Sequence, residues 1–171
     1  SSHAQMGFAS DGKITALKVD TVSGVGGYPS TYNAMIAGEL FVPLITNIYD
    51  IPIACGSMLG VYVNKAPVDA YRGVGEAATT VCERLIDKGA RELGIDPLVL
   101  RKRNYIRSHD YPYAVPLGRV YDSGNPTGQH DLLLDLADYD VLCKERTRLR
   151  TQGTIVGLGV AAYTDQAGIG P

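Results

Sequence analysis

The stretch that decides the fold reads Lys65-Ala66-Pro67-Val68-Asp69-Ala70-Tyr71-Arg72-Gly73-Val74-Gly75-Glu76. An apolar run, Met58 to Val63, precedes it and predicts a β-strand, and an amphipathic pattern from Ala77 to Leu93 follows it and predicts a helix. Pro67 lacks a backbone N–H, so a regular strand ladder should stop there. Gly73 and Gly75 permit positive φ and leave the main chain open to a ligand. The sequence therefore predicts a strand, a glycine turn and a helix in succession.

The turn at residues 65–76 has two interpretations. A helix that starts after it directs its first free N–H groups, and the positive end of its dipole, toward the turn. Together with Arg72, these groups would form a cradle for an anion. A tight strand-to-helix turn with a surface arginine explains the same residues equally well. The glycine spacing also matches dinucleotide-binding turns, but that fold needs an acidic residue at the end of a second parallel strand, and Asp96 instead precedes a proline at a helix start.

The composition is that of an ordinary globular chain of 171 residues, with 45% apolar and 20% charged residues. This length suits one domain with its own core, or a part of a larger domain. A formal net charge of -2 gives no reason to expect nucleic acid or an anionic membrane as partner. No apolar run approaches the roughly 18 residues that a membrane-spanning helix requires.

Cysteines and histidines are scattered along the sequence without the spacing of a metal site. The odd number of cysteines and the absence of CxxC pairs argue against a disulfide framework or a zinc knuckle, and favour a reducing compartment, the cytoplasm. Each histidine is expected to have a structural or surface role, and no metal ligand is assigned. These residues are Cys55, Cys82, Cys143, His3, His109 and His130.

Local patterns predict an α+β fold, with strands of a mixed sheet packed against helices. A hairpin is expected at residues 4–25, because Asp11-Gly12 is a strong turn signal. Helices are expected at about 77–104, broken at Gly94 and restarted by Asp96-Pro97, and at about 130–150. A loop with several aromatic residues and prolines is expected at 108–128, and a glycine-rich strand at about 153–164.

Three further features have roles that local pattern leaves open. Gly24, Gly26 and Gly27 follow the hairpin and could line a binding site or form a loop. The run Arg101-Lys102-Arg103 ends a predicted helix and could contact phosphate or complement the helix dipole in solvent. On the helix after the central turn, the apolar residues share one face, and Glu83 is expected among the charged residues of the other. The apolar face comprises Ala78, Val81, Cys82, Leu85, Ala90 and Leu93.

Several blocks of the sequence resemble a known family. Residues 60–73 read Gly-Val-Tyr-Val-Asn-Lys-Ala-Pro-Val-Asp-Ala-Tyr-Arg-Gly. They are similar to the molybdopterin-contacting segment of the large subunit of molybdenum hydroxylases, the xanthine dehydrogenase and aldehyde oxidase family. The similarity continues in the family's order along nearly the whole chain. The further blocks are Tyr49-Asp-Ile-Pro52, Glu83-Arg-Leu-Ile-Asp87, Ala90-Arg-Glu-Leu-Gly-Ile-Asp-Pro97, Leu100-Arg-Lys-Arg-Asn104, Pro112-Tyr113, Tyr121-Asp-Ser-Gly124 and Gly157-Leu-Gly-Val-Ala-Ala-Tyr163.

The resemblance implies part of an enzyme that hydroxylates aldehydes or N-heterocycles with oxygen taken from water. Such enzymes bind molybdenum on a molybdopterin cofactor, which the protein positions. Electrons leave through iron–sulfur clusters to FAD, carried by a small and a medium subunit or by equivalent domains. The expected partners are therefore those subunits, the remainder of the large subunit and a small-molecule substrate, with no nucleic acid and no membrane span.

By position, the resemblance places Ala70, Tyr71, Arg72 and Gly73 against the cofactor, with their backbone amides facing one of its oxygens. Val74 falls where related oxidases often place an aromatic residue against the substrate, so it is assigned to the substrate pocket. The carbon-monoxide-oxidising branch, which uses copper, carries a cysteine at the position of Gly73. The glycine here therefore disfavours a copper site.

No catalytic residue is assigned in this sequence, because the family's catalytic glutamate belongs to a later glycine-rich segment expected beyond Pro171. Glu76 is interpreted as a first-turn carboxylate favoured by the helix dipole. Glu76-Ala77 also stands where the family often has an Arg-Pro or Gln-Pro step, about one residue short, and the chain ends abruptly. These departures motivate an alternative hypothesis, a non-catalytic truncated relative that acts as a subunit-contact or scaffold module.

Overall fold

A β-hairpin opens the fold in the computed structural model, which describes residues 1–67, 69 and 75–164. Strand β1 (Ser2–Phe8) pairs antiparallel with strand β2 (Ile14–Gly24). The chain reverses at Asp11-Gly12, where Gly12 has a φ of 85° and the Lys13 N–H donates to Asp11 Oδ1 at 2.9 Å. The reversal therefore lies at the residues that carry the turn signal.

A third strand, β3 (Ala54–Val61), pairs in parallel with β2, with Leu17 opposite Ala54. The order β1-β2-β3 makes a mixed sheet with one antiparallel and one parallel pair. Parallel pairing requires a crossover, which residues 25–53 provide. The crossover contains the helical turn α1 (Asn33–Met35), a π-helical segment (Ile36–Leu40) and the turn α2 (Phe41–Leu44). The α+β architecture expected from the sequence is present.

Four longer helices follow: α3 (Glu76–Leu93), α4 (Pro97–Asn104), α5 (Pro126–Ala137) and α6 (Tyr139–Thr151). Gly94 ends α3 with a φ of 66°, and Asp96 Oδ1 caps α4 by accepting from the Leu98 N–H at 2.8 Å. The break between α3 and α4 is thus set locally. Within the described part of the chain, no helix is long and apolar enough to cross a membrane.

The core lies between the sheet, the crossover and α3. From α3, Ala78, Cys82, Ile86 and Ala90 are buried at helical spacing. Val81, Leu85 and Leu93, predicted on the same face, are partly buried against the core. The remaining core residues come from β2, the crossover and the region of α4: Ile14, Leu17, Val19, Phe41, Leu44, Ile45, Tyr49, Ile51, Leu100 and Tyr105.

Residues 108–128, expected to form an ordered loop, also contain short regular elements. They contain a short 3₁₀ turn (Ser108–Asp110) and a two-stranded ribbon, β4 (Tyr113–Ala114) with β5 (Val120–Tyr121). Helix α5 already begins at Pro126, because Asn125 Oδ1 accepts from the Gly128 N–H at 3.0 Å and caps it. The ribbon is short, which is why alternation along the sequence did not reveal it.

The predicted strand at about 153–164 is wrong: the described residues of this segment, which extend to Thr164, form no strand. A strand requires ladder hydrogen bonds to a neighbouring strand. Here the backbone of Ala162 and Thr164 instead bonds to the side chains of Asn47 and Glu83. The glycine-rich pattern is typical of an extended segment but does not specify its partner.

Candidate functional site

The start of helix α3 forms the described edge of the predicted cofactor turn. The predicted cofactor residues, Ala70, Tyr71, Arg72 and Gly73, and the predicted substrate-pocket residue, Val74, lie outside the described residues. Pro67 and Asp69 precede them, and the buried Gly75 follows as the N-cap of α3. The site is therefore described through the residues around this turn, beginning with the first turn of α3.

No described side chain caps the first turn of α3. The first intrahelical bond runs from the Thr79 N–H to the Gly75 carbonyl, at 2.8 Å. The amides before Thr79 consequently have no partner within the helix, and the positive end of the dipole lies beside them. A cavity of about 360 Å³ opens here, lined by Gly75, Glu76, Thr79, Thr80, Tyr163 and Thr164.

The glycines after β2 pack against residues 63–67, which lead into the turn. Gly26 has a φ of 88°, and a Cβ added to it would lie 2.4 Å from Pro67 Cα. The Val63 N–H donates to the Gly26 carbonyl at 3.0 Å, and the Gly27 N–H donates to the Lys65 carbonyl at 2.9 Å. These glycines therefore permit close backbone approach. Of the two roles left open by the sequence, the described contacts support packing of one loop against another.

A larger cavity, of about 680 Å³, lies next to the β4–β5 ribbon. Its wall includes the whole Tyr121-Asp-Ser-Gly124 block. Burial raises the pKa of the Tyr121 phenol to about 12, so this hydroxyl stays protonated at neutral pH. Tyr163 and Thr164 line this cavity as well as the one at α3. Segment 162–164 consequently separates two cavities.

Glu83 and Arg101 are buried, which corrects the prediction that each lies on a solvated face. Glu83 is 5% exposed and Arg101 1%. Arg101 Nε donates to Glu83 Oε2 at 2.9 Å, Arg101 Nη1 pairs with Asp87 Oδ1 at 2.9 Å, and the Tyr49 hydroxyl donates to Glu83 Oε1. Burial is the largest influence and opposes the charge of Arg101, but Glu83, Tyr49 and Asp87 together outweigh it and raise the pKa of the guanidinium. Arg101 is thus engaged within the core and cannot contact phosphate.

Sequence reasoning missed this network, although a signal was present. Glu83 and Asp87 are four residues apart on one side of α3, and only residues 94–96 separate α3 from α4. So short a connection makes α4 fold back on α3, and Arg101 then faces the two acids. Asn47, which binds segment 162–164, carried no comparable signal.

Titratable side chains are otherwise dispersed in this region. Among the residues that the structure describes, no group of three His, Cys, Asp or Glu side chains could hold a metal ion. His130 is buried and its Nδ1 lies 3.1 Å from the Tyr105 hydroxyl, so its role is structural. His3 and His109 are exposed. The described residues therefore bring backbone amides, two threonine hydroxyls and the Glu76 carboxylate to the cavity at the start of α3.

Residues 1–105 match the family model described as the molybdopterin cofactor-binding domain. The chain belongs to this family. The nicotine 6-hydroxylase large subunit of Paenarthrobacter nicotinovorans is 31% identical over 161 residues, 92% of this chain and 20% of that protein. The carbon monoxide dehydrogenase large chain of Hydrogenophaga pseudoflava is 34% identical over 168 residues, 94% of this chain and 21% of that protein.

Solved structures share the fold of this molybdopterin cofactor-binding domain. Quinoline 2-oxidoreductase from Pseudomonas putida 86 superposes with a TM-score of 0.86 at 29% identity, over 95% of this chain and 21% of that one. Carbon monoxide dehydrogenase from Oligotropha carboxidovorans superposes with a TM-score of 0.76 at 31% identity, over 89% and 20%. The chain spans about a fifth of the length of these relatives. The matches confirm the resemblance to molybdenum hydroxylase large subunits, the α+β fold and the molybdopterin cofactor of the family.

The described residues fit such a cofactor. Molybdopterin carries an anionic phosphate and a hydrogen-bonding ring system. The positive end of the α3 dipole borders a cavity, and no described side chain caps the amides there. Thr79 and Thr80 add hydroxyl-bearing side chains to the cavity wall. Glu76 lines the same cavity, but it is exposed, so the high dielectric constant of the solvent weakens the repulsion between its carboxylate and a bound anion.

Proposed function

We propose that this chain contributes a cofactor-facing turn to a molybdenum-dependent hydroxylase that oxidises aldehydes or N-heterocycles with oxygen from water. The observation that carries the proposal is the start of α3, which no described side chain caps and which borders a cavity of about 360 Å³, in a molybdopterin cofactor-binding domain. The anion-cradle interpretation of this turn rests on the same helix geometry.

Residues of this chain would position the cofactor and take no part in proton transfer. The backbone amides of Ala70, Tyr71, Arg72 and Gly73 would donate hydrogen bonds to cofactor oxygens, and the Arg72 guanidinium would add positive charge. The amides that begin α3 would extend that donor set. The cofactor, when bound, supplies the two-electron redox centre. The protein's contribution is a preorganised set of dipoles around it.

Val74 would form one side of the substrate pocket. An aliphatic side chain gives that pocket an apolar wall without an aromatic stacking surface. Two relatives are named for action on nicotine and on quinoline, both N-heterocycles, which supports this substrate class. A copper-containing site of the carbon-monoxide-oxidising kind is disfavoured by Gly73.

We also propose that the chain works within a larger assembly. Its partners would be the remainder of the large subunit, a small iron–sulfur subunit and a medium FAD subunit, or equivalent domains. One relative is named as the subunit gamma of a dehydrogenase complex, which supports an assembly of this kind. Three free cysteines, Cys55, Cys82 and Cys143, support a reducing compartment such as the cytoplasm.

Molybdenum content tests the placement of the turn. In the intact enzyme, Arg72→Ala removes a charge from the proposed cradle and Gly73→Val blocks backbone approach. Each should weaken cofactor retention by roughly tenfold or more, the effect of removing groups that orient a bound metal. Molybdenum per chain, measured by mass spectrometry on the purified assembly, is the readout. Arg91→Ala, an exposed change near the end of α3, is the matched control. Full molybdenum loading in both turn variants would remove this turn from the site.

The alternative is a non-catalytic relative that serves as a subunit-contact or scaffold module. The departure at Glu76-Ala77 from the usual step after the turn favours it. The same metal analysis separates the two functions, because a scaffold module would purify in its assembly without molybdenum above background. Stoichiometric molybdenum in the unmodified assembly would exclude it.

A further inference from the structure

We propose that Asn47 and Glu83 are positioning residues that fix segment 162–164 as the wall between the two cavities. The functional consequence rests on the proposed function, because one of these cavities lies at the proposed cofactor turn. Neither residue belongs to the turn at residues 65–76 or to the described lining of the cavity at α3.

The wall has to be held through its backbone. Tyr163 is 69% exposed, so its side chain is not anchored by packing, yet it lines both cavities together with Thr164. No neighbouring strand supports the described part of this segment, as its absence from both sheets shows. Without other anchors, such a segment would move freely between two open spaces.

The Asn47 side chain replaces the missing strand. Its Nδ2 donates to the Ala162 carbonyl at 2.6 Å, and its Oδ1 accepts from the Thr164 N–H at 2.9 Å. One residue of a neighbouring parallel strand makes the same two bonds: its N–H donates to the carbonyl of one residue, and its carbonyl accepts from the amide two positions later. One primary amide, 115 and 117 residues away in sequence, thus mimics one unit of a strand ladder.

Glu83 supplies the third bond. Its Oε2 accepts from the Ala162 N–H at 3.0 Å while it also accepts from Arg101 Nε. The carboxylate is held on the other side by the Tyr49 hydroxyl. Because Arg101 neutralises its charge, Glu83 can stay buried with a lone pair directed at the wall. The segment is therefore fastened to the core through α3.

Both anchors are rigid. Asn47 is 1% exposed and has a φ of 51°, a conformation that asparagine tolerates better than most residues. Its own N–H donates to the Leu44 carbonyl at 2.9 Å, which fixes the turn after α2. Glu83 lies in the middle of α3, beside the fully buried Cys82. Movement of segment 162–164 would thus require its hydrogen bonds to Asn47 and Glu83 to break.

The variant Asn47→Gly deletes the amide without straining the backbone, because glycine accepts positive φ. Asp138→Gly is a matched control: Asp138 has a φ of 47°, is exposed, and lies between α5 and α6. Asn47→Asp is the second variant. It keeps an acceptor for the Thr164 N–H, and loses the donor to the Ala162 carbonyl.

Hydrogen–deuterium exchange of the full-length assembled protein, followed by mass spectrometry, tests the positioning. In Asn47→Gly, amides 162–164 should exchange roughly tenfold faster, because two hydrogen bonds are lost. Asn47→Asp should also accelerate exchange, because a carboxylate oxygen then faces the Ala162 carbonyl in place of a donor. Exchange in α4 and α6 should not change in either variant. Exchange at 162–164 equal to that of the Asp138→Gly control would overturn the proposal.

Steady-state kinetics of the loaded enzyme test the consequence. A loosened wall should raise KM for the substrate severalfold with a smaller change in kcat, because the wall shapes the pocket and takes no part in the chemistry. Faster exchange at 162–164 with an unchanged KM would overturn the role of the wall in the site. Molybdenum content of the Arg72 and Gly73 variants is measured independently, so a failure of the proposed function is recognised separately.

Discussion

At the scale of single residues, the buried pair of Glu83 and Arg101 is a feature that the local sequence pattern did not predict. Charged side chains of this kind are rarely buried unless they are paired. Here each finds several partners, since Glu83 is also bound by Tyr49 and Ala162, and Arg101 by Asp87. Burial, and after it the Glu83 charge, raises the pKa of Tyr49 well above its ordinary value, so its hydroxyl remains a donor.

Removing one partner of this pair should be costly. Glu83→Ala leaves the guanidinium of Arg101 buried with Asp87 as its remaining acid, and we expect a loss of about 3 kcal/mol or more in the free energy of unfolding. Equilibrium denaturation measures it. Glu92→Ala is the control on the same helix, because Glu92 is exposed and 3.7 Å from Lys88, and it should change stability by less than about 0.5 kcal/mol. Equal effects of the two substitutions would contradict the buried pair.

His130 gives stability a dependence on pH. Burial lowers the pKa of its imidazole below the ordinary 6.5, an effect that Asp131 partly opposes. The unfolded chain therefore takes up a proton at a higher pH than the folded one, so His130 should lower stability as pH falls from about 6.5 through its folded pKa. Thermal unfolding at pH 7.5 and pH 5.5 measures the change.

A substitution isolates this contribution. His130→Gln should reduce the loss of Tm between the two pH values, while His109→Gln, at an exposed position, should leave it as in the unmodified protein. The same pH dependence in all three proteins would show that other groups are responsible.

At the scale of elements, the close approach of α3 to strand β1 depends on one glycine. Gly89 lies on the buried side of α3, and a Cβ there would lie 2.5 Å from the ring of Phe8. The helix could have carried any strong helix former at this position on propensity alone. Packing against the sheet is what requires the smallest residue.

Adding a methyl group at Gly89 should therefore overpack the interface. We expect Gly89→Ala to destabilise the protein by about 1 to 3 kcal/mol, even though alanine favours helix. Gly38→Ala is a matched control, because Gly38 also lies in a helical segment and a Cβ there would meet nothing within 4 Å. The measurement compares the denaturation midpoints of the Gly89→Ala and Gly38→Ala variants. A neutral or stabilising Gly89→Ala would show that α3 can move away from β1.

At the scale of the whole molecule, residues distant in sequence meet around the start of α3. The wall at 162–164 contacts Asn47 in the turn after α2 and Glu83 on α3, and the glycines after β2 contact the chain at Pro67. The core holds these pieces in place, and the cavity at the helix start is what remains between them. The site is thus a product of tertiary packing around one locally determined helix.

Removal of the cofactor should change hydrogen exchange mainly in the segments around the start of α3. If the cofactor binds at the start of α3, its release from the assembled enzyme should speed hydrogen exchange at residues 75–80 and 162–164, because a bound ligand suppresses local opening. Helix α6, which lies in another part of the described fold, provides an internal reference. Comparison of loaded and cofactor-free protein by mass spectrometry makes the measurement. Unchanged protection in both segments would place the cofactor elsewhere.

Local interactions made much of the fold predictable. Asp11-Gly12 forms the hairpin turn, Gly94 ends α3, and Asp96-Pro97 starts α4, each through contacts within a few residues. The predicted strand at 153–164 failed for the converse reason. Its pattern describes an extended chain, but a strand exists only when another strand supplies the ladder, and here Asn47 occupies that place.

The sequence by itself determined the hairpin turn, the break between α3 and α4 and the family, because these depend on short-range chemistry and on blocks of residues in a fixed order. Only the tertiary structure decided that Glu83 and Arg101 are buried together and that Asn47 supports the wall of the site. The physical reason is that burial and pairing of a polar group depend on which surfaces meet, and surfaces on different elements meet only when the core has formed.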